Sequence, residues 1–188
     1  MPDEATTLDG TDSVPDRSQT AGAAIQIGSP TPEDAAEIHA LIAACPPLDT
    51  NSLYANLIQC SHFAAHCAVA RMNGKVVGWI SGHRPPGKSN TYFLWQVAVH
   101  ADARGQRLPR RMLAEILSRD AQSGVSQIET TITRSNDASW ALFRSVAGWL
   151  SAPLREEPWF DRDRHFAGQH DTEFLVTIGP FKAPKASG

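Results

Sequence analysis

The pattern of hydrophobic and polar positions predicts a strand, a turn and a helix at the centre of the chain. Residues 92–99 are an apolar run rich in aromatic and β-branched side chains, which is typical of a buried strand. A short polar turn, residues 100–106, follows it. Beyond the turn, apolar residues recur at the spacing of an amphipathic helix. They are Leu108, Met112, Leu113, Ile116 and Leu117.

Before this unit the pattern predicts a short strand, residues 24–27, and a helix. Thr31 is a typical N-cap residue, and Pro32 suits the first helical position. The helix carries an apolar stripe and is ended by Pro46-Pro47, because proline cannot continue a helix. The stripe consists of Ile38, Leu41, Ile42 and Cys45.

A second helix is predicted to follow and to reach about Cys60. Several residues from Asp49 to Ser52 are suited to its N-cap. From spacing alone, this cap is the favoured role of Asp49.

The next segments predict an antiparallel meander. Residues 65–72 and 75–82 flank Asn73-Gly74, which is the strongest two-residue signal for a hairpin turn. A looser connection, residues 83–90, leads into the central strand. Three consecutive strands are therefore expected to lie side by side.

A polar face is predicted on the strand after the central helix. Gly124 is expected to cap that helix, and residues 127–133 then alternate sharply. Ile128 and Ile132 face one way. The other face carries Gln127, Glu129, Thr131 and Thr133. A polar face on a strand inside the sheet predicts a solvated cleft.

Composition indicates one ordinary soluble α/β domain. The chain has 188 residues, a net charge of −3 and 41% hydrophobic residues. The small net charge argues against a nucleic-acid partner, which favours a strongly basic face. No apolar stretch approaches the roughly 20 residues of a membrane span. The domain is expected to cover residues 25–182.

The two ends of the chain are predicted to be disordered tails. Residues 1–24 are polar, acidic and small, without the basic and apolar regions of a signal peptide. Residues 183–188 form the second tail.

The three cysteines, Cys45, Cys60 and Cys67, predict a reduced cytoplasm, because they form no C-x-x-C pair and leave one thiol over. A zinc site of Cys60, His62, His66 and Cys67 is conceivable. Their spacing matches no established zinc pattern, so no metal is expected.

Four arginines surround the predicted start of the central helix, where unpaired N–H groups and the helix dipole favour an anion. They are Arg104, Arg107, Arg110 and Arg111. This arrangement favours a phosphate site. The alternative is a basic helix start that faces solvent.

The segment VAVHADARGQRLPRRML resembles the acetyl-CoA-binding segment of the GNAT N-acetyltransferases, whose pattern is R/Q-x-x-G-x-G/A after a strand. Arg104 fits the first position. Arg107 and Pro109 stand where the pattern has glycines, and Gly105 is offset from both. Pro109 lacks an N–H and so removes one phosphate donor, although proline also suits the first turn of a helix.

Residues 134–149 resemble the second GNAT signature, N-x-x-A-x-x-L-Y followed by Gly and an aromatic residue. Asn136, Leu142, Gly148 and Trp149 match it. Ser139 replaces the alanine. Phe143 replaces the tyrosine that protonates the departing thiolate in many members, so it cannot play that part. Either Ser135 or Asn136 is expected to cap this helix.

The resemblance implies the GNAT fold, an α/β architecture with a mixed, strongly twisted sheet of six or seven strands and helices on both faces. It also implies that acetyl-CoA lies where the central strand and the Glu129 strand splay apart. The residues expected to contact acetyl-CoA are Val97, Ala98, Val99, Arg104, Gly105, Gln106, Arg107, Leu108, Pro109, Arg110, Asn136 and Phe143. A backbone N–H at Val97 or a neighbour is expected to bind the oxyanion.

Residues 27–181 more closely resemble the diaminobutyrate acetyltransferases of the ectoine pathway, through PPLDTNSLYANLIQCSHF, IETTITRSNDASWALFRS and HFAGQHDTEFLVTIGPF among other stretches. The resemblance implies transfer of the acetyl group of acetyl-CoA to the γ-amino group (N4) of L-2,4-diaminobutyrate in a bacterial cytoplasm. It also implies a homodimer.

Under this hypothesis Glu129 is the candidate base or amine orienter. Asp49 is expected to bind an ammonium, assisted by Tyr54. Trp95 is expected to wall the pocket, with a plain core position as its alternative, and Thr131 is expected to contribute a hydroxyl.

His165 is expected to contact the substrate carboxylate or to shuttle a proton. A surface loop position is the alternative for it.

Two other functions stay open from the sequence. The first is a GNAT acetyltransferase for another diamine or for a protein N-terminus. The second is a degenerate, non-catalytic CoA-binding module, suggested by the replaced glycines and tyrosine.

Overall fold

The computed structural model describes residues 24–182. Apart from Ala24, the predicted tails 1–24 and 183–188 lie outside this range.

A seven-stranded mixed sheet forms the centre of the described part of the chain, in the order β1-β2-β3-β4-β5-β7-β6. Its strands are β1 Ile25–Gly28, β2 Ala68–Met72, β3 Lys75–His83, β4 Thr91–Val99, β5 Gln127–Thr133, β6 Leu154–Phe160 and β7 Glu173–Ile178. Strands β4 and β5 pair in parallel, and the other neighbours pair antiparallel. The predicted mixed sheet and the meander β2-β3-β4 are confirmed.

Helices cover both faces of the sheet, as predicted. They are α1 Ala35–Ala43, α2 Leu53–Ser61, α3 Leu108–Leu117, α4 Asp137–Leu150 and the short α5 Arg162–Phe166. The predicted stripe of α1 packs with Trp79 and Ala98 in one core cluster. The predicted stripe of α3 packs in the other cluster, together with Trp140 and Phe143 of α4.

The helix starts follow from capping residues, with one correction. Thr31 precedes a 3₁₀ turn that leads into α1, and its N–H donates to the Asp34 carboxylate at 2.7 Å. The N-cap of α2 is Ser52, whose hydroxyl accepts from the Ala55 N–H at 3.1 Å. The prediction that Asp49 caps this helix is therefore wrong, because Ser52 satisfies the orphan N–H.

The hairpin turn is formed by Asn73 and Gly74 in left-handed conformations, with φ of 53° and 77°. Strand β2 begins at Ala68 rather than at residue 65, because residues 64–66 form a 3₁₀ turn. Gly124 was predicted to cap α3, and this prediction is wrong. That helix ends at Leu117, and Gly124 follows a separate 3₁₀ turn.

A β-bulge interrupts β4 at Trp95. Ser81 pairs with Gln96 and Gly82 pairs with Leu94, which leaves Trp95 without a partner on β3. Leu94 therefore faces the α3 side of the sheet, and so does Val97 three residues later. The bulge changes which side chains of β4 reach the region between β4 and β5.

Candidate active site

Strands β4 and β5 splay apart and open a cavity between them. They pair only where Thr91–Phe93 meets Gln127–Glu129. Beyond Phe93 they diverge, and a cavity of about 1110 Å³ is lined by Leu94–Val97 of one strand and Thr130–Thr133 of the other. The predicted splay is therefore present. Backbone groups of β4 that point toward β5 in this region face the cavity rather than a strand.

At one end of the cavity lies the start of α3. Arg107 is the N-cap with a left-handed backbone, φ 53°, and Pro109 is in the first turn. Arg107 thus adopts the backbone conformation that glycine takes most easily, at the position where the GNAT pattern has glycine. Pro109 fits its helical position, as predicted, although it contributes no N–H.

The backbone around this helix start retains free donors. The N–H groups of Gly105, Gln106 and Arg107 donate no backbone hydrogen bond to another described residue, whereas the Arg104 N–H bonds Ala101. Oriented N–H groups at a helix start suit a phosphate group. The residues present therefore fit a pyrophosphate, with Pro109 as the one missing donor.

The predicted cofactor residues divide into three groups. Val97, Val99, Arg104, Pro109, Asn136 and Phe143 line the cavity. Gly105, Arg107 and Leu108 line an adjoining hollow of about 330 Å³, which shares Val99, Arg104 and Pro109 with the cavity. Ala98, Gln106 and Arg110 line neither space. Ala98 is buried on the opposite face beside α1, and the Arg110 guanidinium lies 5.0 Å from the Trp149 ring centre.

The start of α4 forms another wall of the cavity. The Asn136 side chain accepts from the Ser139 N–H at 3.0 Å, so Asn136 rather than Ser135 is the N-cap. Phe143 is buried in the core below the cavity. Its ring offers no proton, which leaves the family's tyrosine position without an acid.

Three of the predicted substrate residues line the same cavity, namely Asp49, Trp95 and Thr131. Trp95 is 51% exposed, so the alternative of a plain core tryptophan is excluded. The bulge explains this exposure, because the extra residue turns its side chain out of the regular alternation.

Gln96 is a cavity residue that the sequence analysis missed. Its Nε2 donates to the Asp49 carbonyl oxygen at 2.8 Å, and its Oε1 accepts from Asn51 Nδ2 at 2.8 Å. The side chain is 7% exposed. Gln96 thus fixes the segment that carries Asp49 against the edge of β4. No alternation signal marked this residue, because the bulge alone redirects it.

Glu129, the predicted base, does not line the cavity in this structure. Its carboxylate is buried and accepts from Lys88 Nζ at 2.8 and 2.9 Å and from Gln127 Nε2 at 3.1 Å. It lies on the same face of β5 as Thr131, which does line the cavity. The structure therefore places Glu129 beside the cavity, in an ion pair.

Two predicted substrate residues are not brought to the cavity. Tyr54 is 71% exposed on α2 and lies outside the lining. His165 is exposed on α5, where its Nδ1 accepts from the Asp161 N–H at 2.7 Å. The second histidine of the same segment, His170, lines the cavity instead. Arg162, Asp171 and Glu173 line it as well, and the sequence analysis assigned no function to them.

The cysteines are free and buried. Burial raises the pKa of the Cys60 thiol to about 12 and that of Cys67 to about 11, so both stay protonated near neutrality. Between residues 24 and 182, no cluster of three or more His, Cys, Asp or Glu side chains is arranged to hold a metal ion. No helix in the same range is both long and apolar enough to cross a bilayer.

Comparison with known proteins identifies close relatives of this chain. The family model of the acetyltransferase (GNAT) family matches residues 35–149. The L-2,4-diaminobutyric acid acetyltransferase of Methylotuvimicrobium alcaliphilum is 49% identical over 173 residues, 92% of this chain and 99% of that protein. The enzyme of the same name from Halomonas elongata is 45% identical over 157 residues, 83% and 81% of the two chains.

A solved structure is similar over nearly the whole described fold. It is the diaminobutyrate acetyltransferase of Paenibacillus lautus in complex with its substrate L-2,4-diaminobutyric acid and coenzyme A. The TM-score is 0.81 at 34% identity, and the match covers 87% of this chain and 99% of that one.

Proposed function

Because the chain belongs to the acetyltransferase (GNAT) family, and within it to the L-2,4-diaminobutyric acid acetyltransferases, we propose that it transfers the acetyl group of acetyl-CoA to N4 of L-2,4-diaminobutyrate. The single observation that carries this proposal is the cavity between β4 and β5. Its lining combines residues of a phosphate-compatible helix start, Arg104 and Pro109, with the Asp49 carboxylate and the exposed Trp95. Residues 25–182 form the one domain that does this.

Acetyl-CoA enters as a co-substrate along β4. The pyrophosphate is held by the N–H groups that precede α3, with Arg104 assisting. The thioester then lies along the cavity-facing edge of β4 near Val97. A backbone N–H there donates to the oxyanion of the tetrahedral intermediate.

The acceptor amine enters from the opposite half. At neutral pH both amino groups of the substrate carry a proton, and only a neutral amine attacks a thioester. Asp49 holds the α-ammonium as a ground-state ion pair. Trp95 and Thr131 orient the chain of the substrate so that the γ-nitrogen faces the thioester.

Proton removal falls to Glu129, either directly or through a water that it holds. The carboxylate must first exchange Lys88 for the incoming ammonium, because both of its oxygens accept from Lys88 Nζ. The neutral nitrogen attacks the thioester carbonyl and forms the C–N bond of the tetrahedral intermediate. That intermediate then collapses with cleavage of the C–S bond and release of the CoA thiolate. Phe143 has no proton to give to the departing thiolate. The thiolate therefore takes up either the proton lost by the amine or a proton from a water molecule.

The biological setting follows from the product. N4-acetyl-diaminobutyrate would serve as the precursor that a separate synthase cyclises to ectoine, an osmoprotectant. We place the enzyme in the bacterial cytoplasm, in keeping with its buried free thiols. We also propose a homodimer. Its support is the exposed edge strand β6, where Trp159 and Phe160 are 47% and 42% exposed.

A single assay tests this function against its alternatives. Thiol release from acetyl-CoA is measured with L-2,4-diaminobutyrate, L-ornithine, 1,3-diaminopropane and a peptide with a free N-terminus. We expect the highest kcat/KM for diaminobutyrate, with N4-acetyl product by NMR. A higher kcat/KM for another amine or for the peptide would show that diaminobutyrate is not the substrate. No thiol release with any acceptor would indicate a non-catalytic CoA-binding module.

A further inference from the structure

We propose that Arg162 binds the α-carboxylate of the amino-acid acceptor, and thereby makes the site select an amino acid over a simple diamine. This inference rests on the proposed function. His165, which was expected to contact the substrate carboxylate or to shuttle a proton, lies outside the cavity lining. Arg162, at the start of the same helix, lines the cavity.

The backbone of Arg162 is held in place. Its N–H donates to Thr172 Oγ1 at 3.0 Å, and its carbonyl accepts from the Gly168 N–H at 2.9 Å. Asp161 caps the helix by accepting from the N–H groups of Asp163 and Arg164. The side chain therefore extends from a fixed point toward the cavity.

The guanidinium is not engaged in a tight ion pair. Arg162 Nε lies 3.9 Å from Asp163 and Nη1 lies 3.9 Å from Asp171, both longer than a hydrogen bond. Its side chain is 57% exposed. The planar fork is therefore available for a bidentate bond to a carboxylate.

The other two basic side chains of the cavity lining, Arg104 and His170, are less suited to bind the substrate carboxylate. Arg104 Nε donates to the Val99 carbonyl at 3.4 Å, at the end where the phosphates are expected. His170 Nδ1 contacts the Asp171 carbonyl at 2.7 Å, and an imidazole lacks the planar fork with which a guanidinium binds a carboxylate. Arg162 is thus the side chain of the cavity lining best suited to bind a carboxylate.

Charge matching supports the same assignment. The cavity lining includes the carboxylates of Asp49, Asp171 and Glu173, which suit the two ammonium groups of diaminobutyrate. The same carboxylates would repel the carboxylate of the substrate. The positive charge of Arg162 offsets that repulsion and lets the site accept an amino acid.

The test compares two acceptors that differ only in the carboxylate, L-2,4-diaminobutyrate and 1,3-diaminopropane. We expect Arg162→Gln to lower kcat/KM for diaminobutyrate by about 10- to 100-fold, mainly through KM. Activity with 1,3-diaminopropane should change by less than about threefold, since that amine has no carboxylate to lose. Arg162→Lys should restore part of the loss, because it keeps the charge without the fork. Arg164→Gln is the matched control, since Arg164 lies on the same helix outside the cavity lining.

Where 1,3-diaminopropane turns over too slowly, calorimetric binding of both compounds to the CoA-loaded enzyme gives the same ratio. An equal loss with both acceptors, or an unchanged ratio, would overturn the assignment of Arg162. Wild-type enzyme without activity on any amine is a different outcome. It would overturn the proposed function and this inference with it.

Discussion

The Lys88 ammonium lies 2.8 and 2.9 Å from the two carboxylate oxygens of Glu129, the residue predicted to act as the base. Glu129 is buried, whereas the Lys88 side chain is 45% exposed on the connection between β3 and β4. A substrate ammonium that engages Glu129 must therefore displace another ammonium from the same protein. Because of this competition, variants of Lys88 and Glu129 can distinguish a catalytic role of Glu129 from a purely structural one.

We expect Glu129→Gln to lower kcat by about 10²- to 10⁴-fold and to flatten the acidic limb of the pH–rate profile, because the amide keeps the shape but loses the base. Lys88→Met should leave kcat within about threefold and lower KM for diaminobutyrate, because the internal competitor is gone. Both are measured by steady-state kinetics across pH 6–9.

A structural anchor would give a different result. If Glu129 only holds the connection through Lys88, the two variants should show the same modest loss of activity and of thermal stability. A Glu129→Gln variant whose pH profile matches the wild type would exclude it as the base.

Arg104→Ala should raise KM for acetyl-CoA by about tenfold or more, because a charge-assisted contact to phosphate contributes roughly 1.5–3 kcal/mol. KM for diaminobutyrate should stay nearly unchanged. Lys75→Ala, at the exposed start of β3 and outside the cavity lining, is the control and should leave both KM values unchanged. A rise in KM for the amine alone would place the cofactor elsewhere.

The central unit β4–α3 could be predicted because both of its elements bury one face. Apolar positions that repeat at the strand and helix periods mark such elements directly. The hairpin could be predicted because Asn73-Gly74 adopts the left-handed conformations that its turn requires. In the site, Trp95 and Thr131 were assigned to the cavity and are found there.

The remaining site residues depend on features without a periodic signal. Regular alternation from Leu94 would put Gln96 on the α3 side, and only the bulge at Trp95 brings it to the cavity. His165 and His170 lie five positions apart around a short helix, where no period distinguishes them. The Lys88–Glu129 ion pair joins residues 41 positions apart through an irregular connection, so local sequence could not reveal it.

Gly82→Ala should destabilise the fold by about 1–3 kcal/mol or more, because the site is already filled. A Cβ at Gly82 would lie 2.2 Å from Tyr92 Oη and 2.6 Å from the Phe93 carbonyl oxygen. Urea unfolding measures the change. Gly148→Ala, in helix α4 with open space around it, is the control and should be neutral or slightly stabilising. Equal stability of the two variants would contradict the packing at Tyr92.

Acidification should weaken the fold through His66. Burial, and then the positive charges of Arg84, His83 and Arg119, lower the pKa of His66 below its usual value of 6.5. Gln122 Nε2 lies 2.7 Å from His66 Nδ1, which it can contact as a donor only while that nitrogen is unprotonated. The unfolded chain therefore takes up the proton first as pH falls below 6.5. The contribution of neutral His66 to the free energy of unfolding is therefore fully present above pH 6.5. It is lost as the pH falls through the lower pKa of His66 in the folded protein.

The measurement is the free energy of unfolding by urea at pH 7.5 and 5.5, which we expect to be lower at pH 5.5. His66→Asn keeps an acceptor but cannot titrate, so the difference between the two pH values should shrink. Burial also lowers the pKa of His83, so part of the dependence should survive in this variant. A difference as large as in the wild type would assign the effect to other groups.

The last prediction concerns Asp49 and the residue that positions it. Asp49→Asn should raise KM for diaminobutyrate and reduce the preference for N4 over the α-amino group, because it removes a ground-state ion pair.

Gln96→Leu should give a weaker form of the same result, since Gln96 holds the Asp49 backbone at 2.8 Å without contributing a charge. Activity on 1,3-diaminopropane, whose two amines are equivalent, should fall about as much in Asp49→Asn as activity on diaminobutyrate, because both acceptors carry a second ammonium for Asp49 to hold. A monoamine such as propylamine, which lacks that ammonium, should be acetylated equally well by wild type and Asp49→Asn. If propylamine activity in the wild type matched that of diaminobutyrate, Asp49 would have no ammonium-binding role. Product NMR and thermal stability together show how Gln96 acts. If Gln96→Leu loses selectivity for N4 as Asp49→Asn does, Gln96 positions Asp49. If Gln96→Leu loses thermal stability but keeps its selectivity, Gln96 has a packing role only.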